Sequence, residues 1–259
     1  MSRSRAQATA AALLASVAGC VDAVSYLVLH HTFTANMTGN STELGIAGGL
    51  TRPGVVIPLA TAVAVFVVAI GAGTALIESA ARRGLRATAG PALVLEAGLI
   101  AAFMAAGRSL VNHGTAPDHR VSGFYVLLTL AVLAMGIQTA SLTRALGRPV
   151  RTTFVSGMLA MVSQEAVNAF GPPPGDRPSY LRDHLGLGTA SDSRRWLAFH
   201  ACVWLAFAGG AVWGAFALRR WSMWGLGPAV GLVLVVATVD RRVPIHAWGD
   251  GGEGDEPDQ

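Results

Sequence analysis

Four acidic residues stand where water is scarce. Asp22, Glu43, Glu96 and Glu165 lie inside or beside long apolar runs, and a charged side chain near the centre of a bilayer costs about 2.5 to 3.5 kcal/mol on insertion scales. Such a group needs a partner or a task. Uncharged polar residues accompany them: Asn36, Thr38 and Asn40 ahead of Glu43, Gln138 within a later run, and Ser156 ahead of Glu165. Carboxyl, carboxamide and hydroxyl groups gathered inside a membrane suit the binding of a small polar solute or ion. Ser16, Gly19, Ala23 and Tyr26 share the helical face of Asp22, and a satisfied helix-helix contact is the alternative reading of that acid. Glu96, with Arg108 at the far end of the same run, reads as structural.

The stretch around Thr38-Gly39-Asn40 is the most informative. Asn40, Ser41, Thr42 and Glu43 have capping-box spacing, in which Asn40 accepts from the first turn and Glu43 reaches back to its N–H. This predicts a helix start at Asn40, with Asn36 close by. A helix start within the membrane offers unpaired N–H groups and a positive dipole end, which suits an anion or a polar substrate group. The plain alternative is a helix capped at the surface.

The elements that must carry these residues follow from composition. Of 259 residues, 52% are apolar and only 13% charged, half the charge usual for soluble proteins. A water-soluble domain, a disordered chain and a coiled coil all fit poorly, and lipid is the expected solvent. All 19 basic residues are Arg, whereas five of the 15 acids (Asp250, Glu253, Asp255, Glu256 and Asp258) crowd into the last ten positions. The Arg residues cluster between apolar stretches and not along one polar face, so they read as membrane-topology signals and not as a nucleic-acid surface. Cys20 and Cys202 have no second Cys or His at ligand spacing, so no disulfide, metal or cofactor is expected. Val17-Ala18-Gly19-Cys20 resembles a lipoprotein signal, but the apolar run continues through Leu29 and favours a span.

Runs near the ~20 residues that cross a ~30 Å hydrocarbon core occupy about 8–29, 55–78, 90–110, 122–143, 196–218 and 222–240. Segments 36–50 and 152–170 are ambiguous. With the N-terminus in the cytoplasm and neither segment crossing, 14 Arg fall inside and 5 outside. If both cross the split is 11 to 8, and if only the second crosses it is 10 to 9. The positive-inside rule selects six spans with both termini cytoplasmic, in the inner (plasma) membrane.

Six spans make the two halves topologically opposite. Gly19–Tyr26 can be laid beside Gly136–Thr143, and Thr32-Phe33 with Thr38-Gly39 beside Thr153-Phe154 with Ser156-Gly157. The expected fold is therefore all-α and integral to the membrane, with six transmembrane helices as two inverted three-span repeats, each with an extra short or re-entrant helix. The halves are 1–110 and 122–242, joined by a polar loop at 111–121. Residues 171–195, opening Gly171-Pro172-Pro173-Pro174, read as a surface loop, and the acidic tail 243–259 as disordered. Inverted repeats with broken segments build sites at the bilayer midplane in secondary transporters. Trp196, Trp221 and Trp224 at span ends read as interfacial anchors. Gly210 with Gly214, and Gly227 with Gly231, read as helix-packing pairs.

Gly19-x-x-Asp22-Ala23, then Phe33-Thr34-Ala35-Asn36-Met37-Thr38-Gly39-Asn40 with Leu44-Gly45, then Gly136-x-Gln138 and Thr152-Thr153-Phe154-Val155-Ser156-Gly157 together resemble the YoaK family of bacterial membrane proteins of unknown function. The likeness runs from about residue 8 to 240, with Ser156-Gly157 where the family more usually has Thr-Gly. It implies a multi-span inner-membrane protein and no established activity.

Three function classes follow. The first is a small-solute transporter or channel whose midplane site is formed by Asp22, Asn36, Thr38, Asn40, Glu43, Gln138, Ser156 and Glu165. The second is an accessory or scaffolding membrane protein whose polar residues serve packing alone. The third, an intramembrane serine protease using Ser156 and His200, is disfavoured: Phe154 stands two before Ser156 where such enzymes have Gly, and no His-x-x-x-Asn pair appears. The lipid bilayer and an unidentified solute are the expected partners; nucleic acid is not, and oligomeric state is open.

Overall fold

The structure, a computed structural model, describes residues 3–111, 118, 121–141, 144–145, 148–149, 155–170 and 190–245. Helices form nearly all of it, as lipid requires of any spanning segment whose backbone must satisfy its own hydrogen bonds. They are α1 (Arg3–Val28), α2 (Met37–Gly49), α3 (Pro53–Arg82), α4 (Gly90–Leu110), α5 (Ser122–Ser141), α6 (Val155–Phe170), α7 (Ala190–Trp221) and α8 (Gly227–Arg242), with a 3₁₀ turn at Ser222–Leu226 between the last two. A short antiparallel pairing of Arg144–Ala145 with Arg148–Pro149 follows α5. Among the described residues five stretches are long and apolar enough to cross a membrane, and the fifth, Ser193–Arg242, takes in most of α7 and all of α8.

Close approaches at small residues fix the helix directions. A Cβ added to Gly19 of α1 would strike the Phe207 carbonyl of α7, one on Gly210 would strike the Ser16 carbonyl, and one on Gly214 would lie 2.6 Å from the Cys20 carbonyl. One turn along α1, from Ser16 to Cys20, moves the partner one turn forward along α7, from Gly210 to Gly214, so α1 and α7 run parallel. In the same way Gly136 of α5 abuts Ala69 and Phe66 of α3, while a Cβ on Gly73 would lie 2.9 Å from that of Ala140. Those two helices are parallel as well. In contrast, Gly107 near the end of α4 meets Met223 just before α8, and Gly90 at the start of α4 faces Asp240 near the end of α8. That pair is antiparallel.

The buried core is dominated by Ala, Val and Leu of α1, α4, α5 and α8, with Phe103, Phe124 and Met135 the bulky fillers. The lipid-facing side is apolar too: Val67, Val68 and Val212 are exposed, the arrangement expected when the surrounding solvent is hydrocarbon. The two ends of the described body meet, because the Gln7 side-chain amide donates to the Ile245 carbonyl (3.1 Å).

Several expectations need correction. Helix α7 begins at Ala190, inside the segment read as a loop up to 195. Ile245 is buried and its N–H donates to Asp240 Oδ1 (2.9 Å), so the packed body extends past the expected start of the tail at 243; residues 246–259 lie outside the described residues. Trp196 is not an interfacial anchor: it is buried, with its ring against Phe199 and His200. Gly227 and Gly231 have nothing within 4 Å of where a Cβ would sit, unlike the tightly packed Gly210 and Gly214. Cys20 is buried in α1 against α7, which suits the span reading and not an exposed lipidation site.

Candidate functional site

The site begins where α1 stops. His30 and His31 adopt left-handed backbone conformations (φ 49° and 65°), unfavourable for further right-handed helix, and the chain turns back toward α1. The turn is closed by the Tyr26 carbonyl, which accepts from His31 N–H (3.0 Å), and by rings, Tyr26 stacking near His31 and Phe33. The returning strand-like segment Phe33–Asn36 then needs partners for its backbone, since lipid supplies none.

Two side chains supply them. Asp22 Oδ1 accepts from the Thr34 and Ala35 N–H groups, each at 2.7 Å, and lies 3.5 Å from Thr34 Oγ1, which in turn contacts Ser25 Oγ at 3.2 Å. Asn40 binds the backbone of one residue through both ends of its carboxamide: Phe33 N–H donates to Oδ1 (3.0 Å) and Nδ2 donates to the Phe33 carbonyl (2.7 Å). Asn40 thus does for Phe33 what a neighbouring β-strand would do. Gly39 permits this, because a Cβ there would press on the Phe33 ring at 3.1 Å. Asp22, Asn40 and Thr34 are all buried.

Helix α2 starts earlier than the capping-box spacing implied. Its N-cap is Asn36, whose Oδ1 accepts from Gly39 N–H (3.4 Å), and Asn40 sits in the first turn. The physical reason is that Asn40 already holds Phe33, so its side chain is not free to cap. Asp22 lies six residues, about 9 Å of helix, before the end of α1, and α2 therefore starts below that end. At 13 residues α2 is about 20 Å long, too short to cross a ~30 Å core.

The structure brings together Asp22, Asn36 and Asn40. Glu43 is half-buried further along α2, and Thr38 is exposed there with its carbonyl accepting from Thr42 Oγ1 (3.0 Å). Gln138 is buried in α5, its Nε2 donating to the Leu14 carbonyl of α1 (2.8 Å), two turns from Asp22. Glu165 is buried in α6, which packs on α7, while Ser156 is exposed at the start of α6. Thr152, Thr153 and Phe154, and residues 112–117 and 171–189 of the two expected loops, lie outside the described residues. His200 is buried in α7 with its ring against Trp196 and Phe199.

Two features escaped the sequence reading. Gln138 bridges α5 to α1 through a main-chain carbonyl, a partner with no sequence signature. Glu96 is fully buried in α4 and, among the described residues, neither carboxyl oxygen has a hydrogen-bond partner; Arg108, at the far end of the same helix, stacks over the Trp224 ring at 4.5 Å. Shallow clefts occur at this end of the bundle, one of about 350 Å³ at Arg108 and Trp224 and one of about 550 Å³ at Phe216, Arg219 and Arg220.

Comparison with known proteins agrees with the resemblance noted in the sequence. A family described as "Protein of unknown function (DUF1275)" matches residues 10–239. The chain is also 31% identical over 159 residues to the UPF0700 transmembrane protein YoaK of Bacillus subtilis (strain 168), covering 61% of this chain and 66% of that protein, just under two thirds of its length. No solved structure matches.

Proposed function

We propose a function from the premise that the chain belongs to the DUF1275 family of proteins of unknown function and is a multi-pass membrane protein: it is a carrier or channel for a small polar solute or ion, built from two inverted three-span repeats with both termini cytoplasmic. The observation that carries this reading is a repeated contact. Gly19 of α1 packs on Phe207, Gly210 and Gly214 of α7 follow at the same interface, and the other half pairs Gly136 of α5 with Phe66, Ala69 and Gly73 of α3. The intervals within each set match, and Gly19 and Gly136 are the residues the internal sequence alignment pairs. Helices α4 and α8 both open Gly-Pro-Ala (Gly90-Pro91-Ala92 and Gly227-Pro228-Ala229).

Directions support the same topology. With α2 and α6 not crossing, α1, α3, α4, α5, α7 and α8 alternate, which makes α1 parallel to α7, α3 parallel to α5, and α4 antiparallel to α8, as the glycine contacts have them. A crossing by α6 alone would make α4 and α8 parallel. The Gln7–Ile245 bond is consistent with both ends lying on one face. Such halves, each with a short non-spanning helix, are the frame in which transporters alternate access around a midplane site. The site proposed is formed by Asp22, Asn36, Asn40 and Glu43 with Gln138, Ser156 and Glu165 from the other half.

A second reading has its own support. Asp22 and Asn40 are already occupied by the backbone of residues 33–35, which suits an accessory membrane protein whose polar residues hold the fold. A thermal-shift screen of the purified protein against anionic, cationic and zwitterionic solutes, followed by flux of each stabilising solute into proteoliposomes, tests the choice. Solute-dependent flux above protein-free vesicles is expected; stabilisation and flux absent across the panel would leave the accessory role.

A further inference from the structure

We infer that Glu96 is an intramembrane proton-binding site, a single acid at the pseudo-two-fold axis between α4 and α8 that takes up and releases a proton as the two halves move. The inference rests on the inverted-repeat reading above for its axis and on the structure of α4 for its chemistry. Gly90 faces Asp240 and Gly107 faces Met223, which sets the register of the antiparallel pair. Six residues along α4 from Gly90 is Glu96, and six back along α8 from Asp240 is Leu234, beside the buried Val233. Matching Gly90-Pro91-Ala92 to Gly227-Pro228-Ala229 makes Val233 the repeat equivalent of Glu96. A residue that faces its own equivalent across an antiparallel pair lies at the two-fold axis. Glu96 therefore occupies the position where the halves meet, and it does so as one acid opposite an apolar residue.

Its surroundings select the ligand. Glu96 is 0% exposed, and among the described residues neither oxygen has a hydrogen-bond partner. Among the described residues no cluster of His, Cys, Asp or Glu could hold a metal ion, and a bound cation needs about six oxygen ligands, so one isolated carboxyl suits a proton. On the helices packed against α4, Gln138 of α5 donates to Leu14, Asp240 of α8 accepts from Ile245 at the level of Gly90, and Glu78 of α3 pairs with Arg82 on the surface. An ionised carboxylate in this setting would lose its hydration and gain no partner, so the closed arrangement holds the neutral acid. Separation of α4 from α8 would admit water, let the carboxyl release its proton as a carboxylate, and take one up again before closing. The balance is one proton bound and one released per cycle, with no bond to the protein other than O–H.

The full-length protein in phosphatidylethanolamine–phosphatidylglycerol vesicles provides the test. The infrared band of a protonated carboxyl should be present in the wild type and absent in Glu96→Gln, and it should shift within minutes of transfer to D₂O. In a parallel measurement on the wild type, the lipid-soluble reagent dicyclohexylcarbodiimide should modify Glu96, located by peptide mass spectrometry, while a water-soluble carbodiimide should not. A band that never exchanges, or a Glu96 that stays unmodified by the lipid-soluble reagent, would overturn the proposal, and the labelling arm needs no variant to fold. Solute flux is read separately: flux with an inert Glu96 defeats the proton site alone, whereas proton exchange without flux of any solute counts against the carrier reading alone.

Discussion

Gly19 of α1 lies against the main-chain carbonyl of Phe207 in α7, so close that no side chain fits between them. Two helices with most of the chain between them therefore touch backbone to backbone, as small residues allow in lipid, where packing and not hydrophobic burial drives association. Gly19→Ala should cost on the order of 1 to 3 kcal/mol through overpacking against atoms that cannot move aside. Gly136→Ala should cost a similar amount at the equivalent contact. Gly209→Ala and Gly231→Ala, with open space around them, should be neutral or stabilise by about 0.5 to 1 kcal/mol, the entropy penalty of a helical glycine. Melting in detergent, read by tryptophan fluorescence, checks the ranking; equal losses at all four positions would contradict the interface.

Asp22 and Asn40 act on one short segment, so their losses should not add. Asp22→Ala leaves the Thr34 and Ala35 N–H groups buried and unpaired, at about 1 to 3 kcal/mol for a buried unsatisfied group. Asn40→Leu frees both backbone groups of Phe33. Once either anchor is gone the segment 33–35 loosens, and removing the second should cost less than it does alone. A double-mutant cycle by denaturant or thermal unfolding should return a coupling of about 0.5 kcal/mol or more, and strict additivity would separate the two residues.

Asn40→Asp isolates the geometry. The aspartate keeps an acceptor for Phe33 N–H but turns a second oxygen toward the Phe33 carbonyl, where Asn40 now donates at 2.7 Å. Its melting temperature should fall at least as far as that of Asn40→Leu. A fully stable Asn40→Asp protein would mean that the Phe33 carbonyl bond contributes nothing.

Opposite faces of the membrane should be readable at Leu85 and Ser109. Leu85 follows α3 and Ser109 ends α4, both are exposed, and one crossing separates them. In a Cys202→Ala background, with Cys20 buried, an impermeant thiol reagent applied to intact cells should label Ser109→Cys and leave Leu85→Cys protected until the membrane is opened. Labelling of both in intact cells would sink the topology.

The end of the chain should divide sharply at Ile245. A protein ending after Ile245 keeps the bonds to Asp240 and Gln7 and should melt with the full-length chain. One ending at Arg242 loses both bonds and a buried isoleucine, about 1.5 to 3 kcal/mol from the apolar side chain alone, and should melt several degrees lower. Identical melting of the two would show that the contact at Ile245 is idle.

Much of the architecture is legible in the sequence. Length and apolarity of the runs marked every long helix, because a chain in hydrocarbon must satisfy its backbone internally and has the helix as its main means of doing so. Segment 36–50, polar at its start, stood out as ambiguous for the same reason. What tertiary structure decided was which groups those residues serve. Asp22, Asn40 and Gln138 bind main-chain N–H and C=O groups, and every residue carries these alike, so no spacing in the sequence names them. The start of α2 was displaced for the same cause: capping spacing at Asn40 is a local signal, and a contact to Phe33 outside the helix overrode it. Glu96 reads from the sequence as structural, but nothing there says what surrounds it: Arg108, at the other end of α4, reaches Trp224, and the acid is buried away from it. Only the antiparallel register of α4 and α8, fixed by contacts between residues more than a hundred positions apart, puts that acid at the level of Leu234 and the buried Val233.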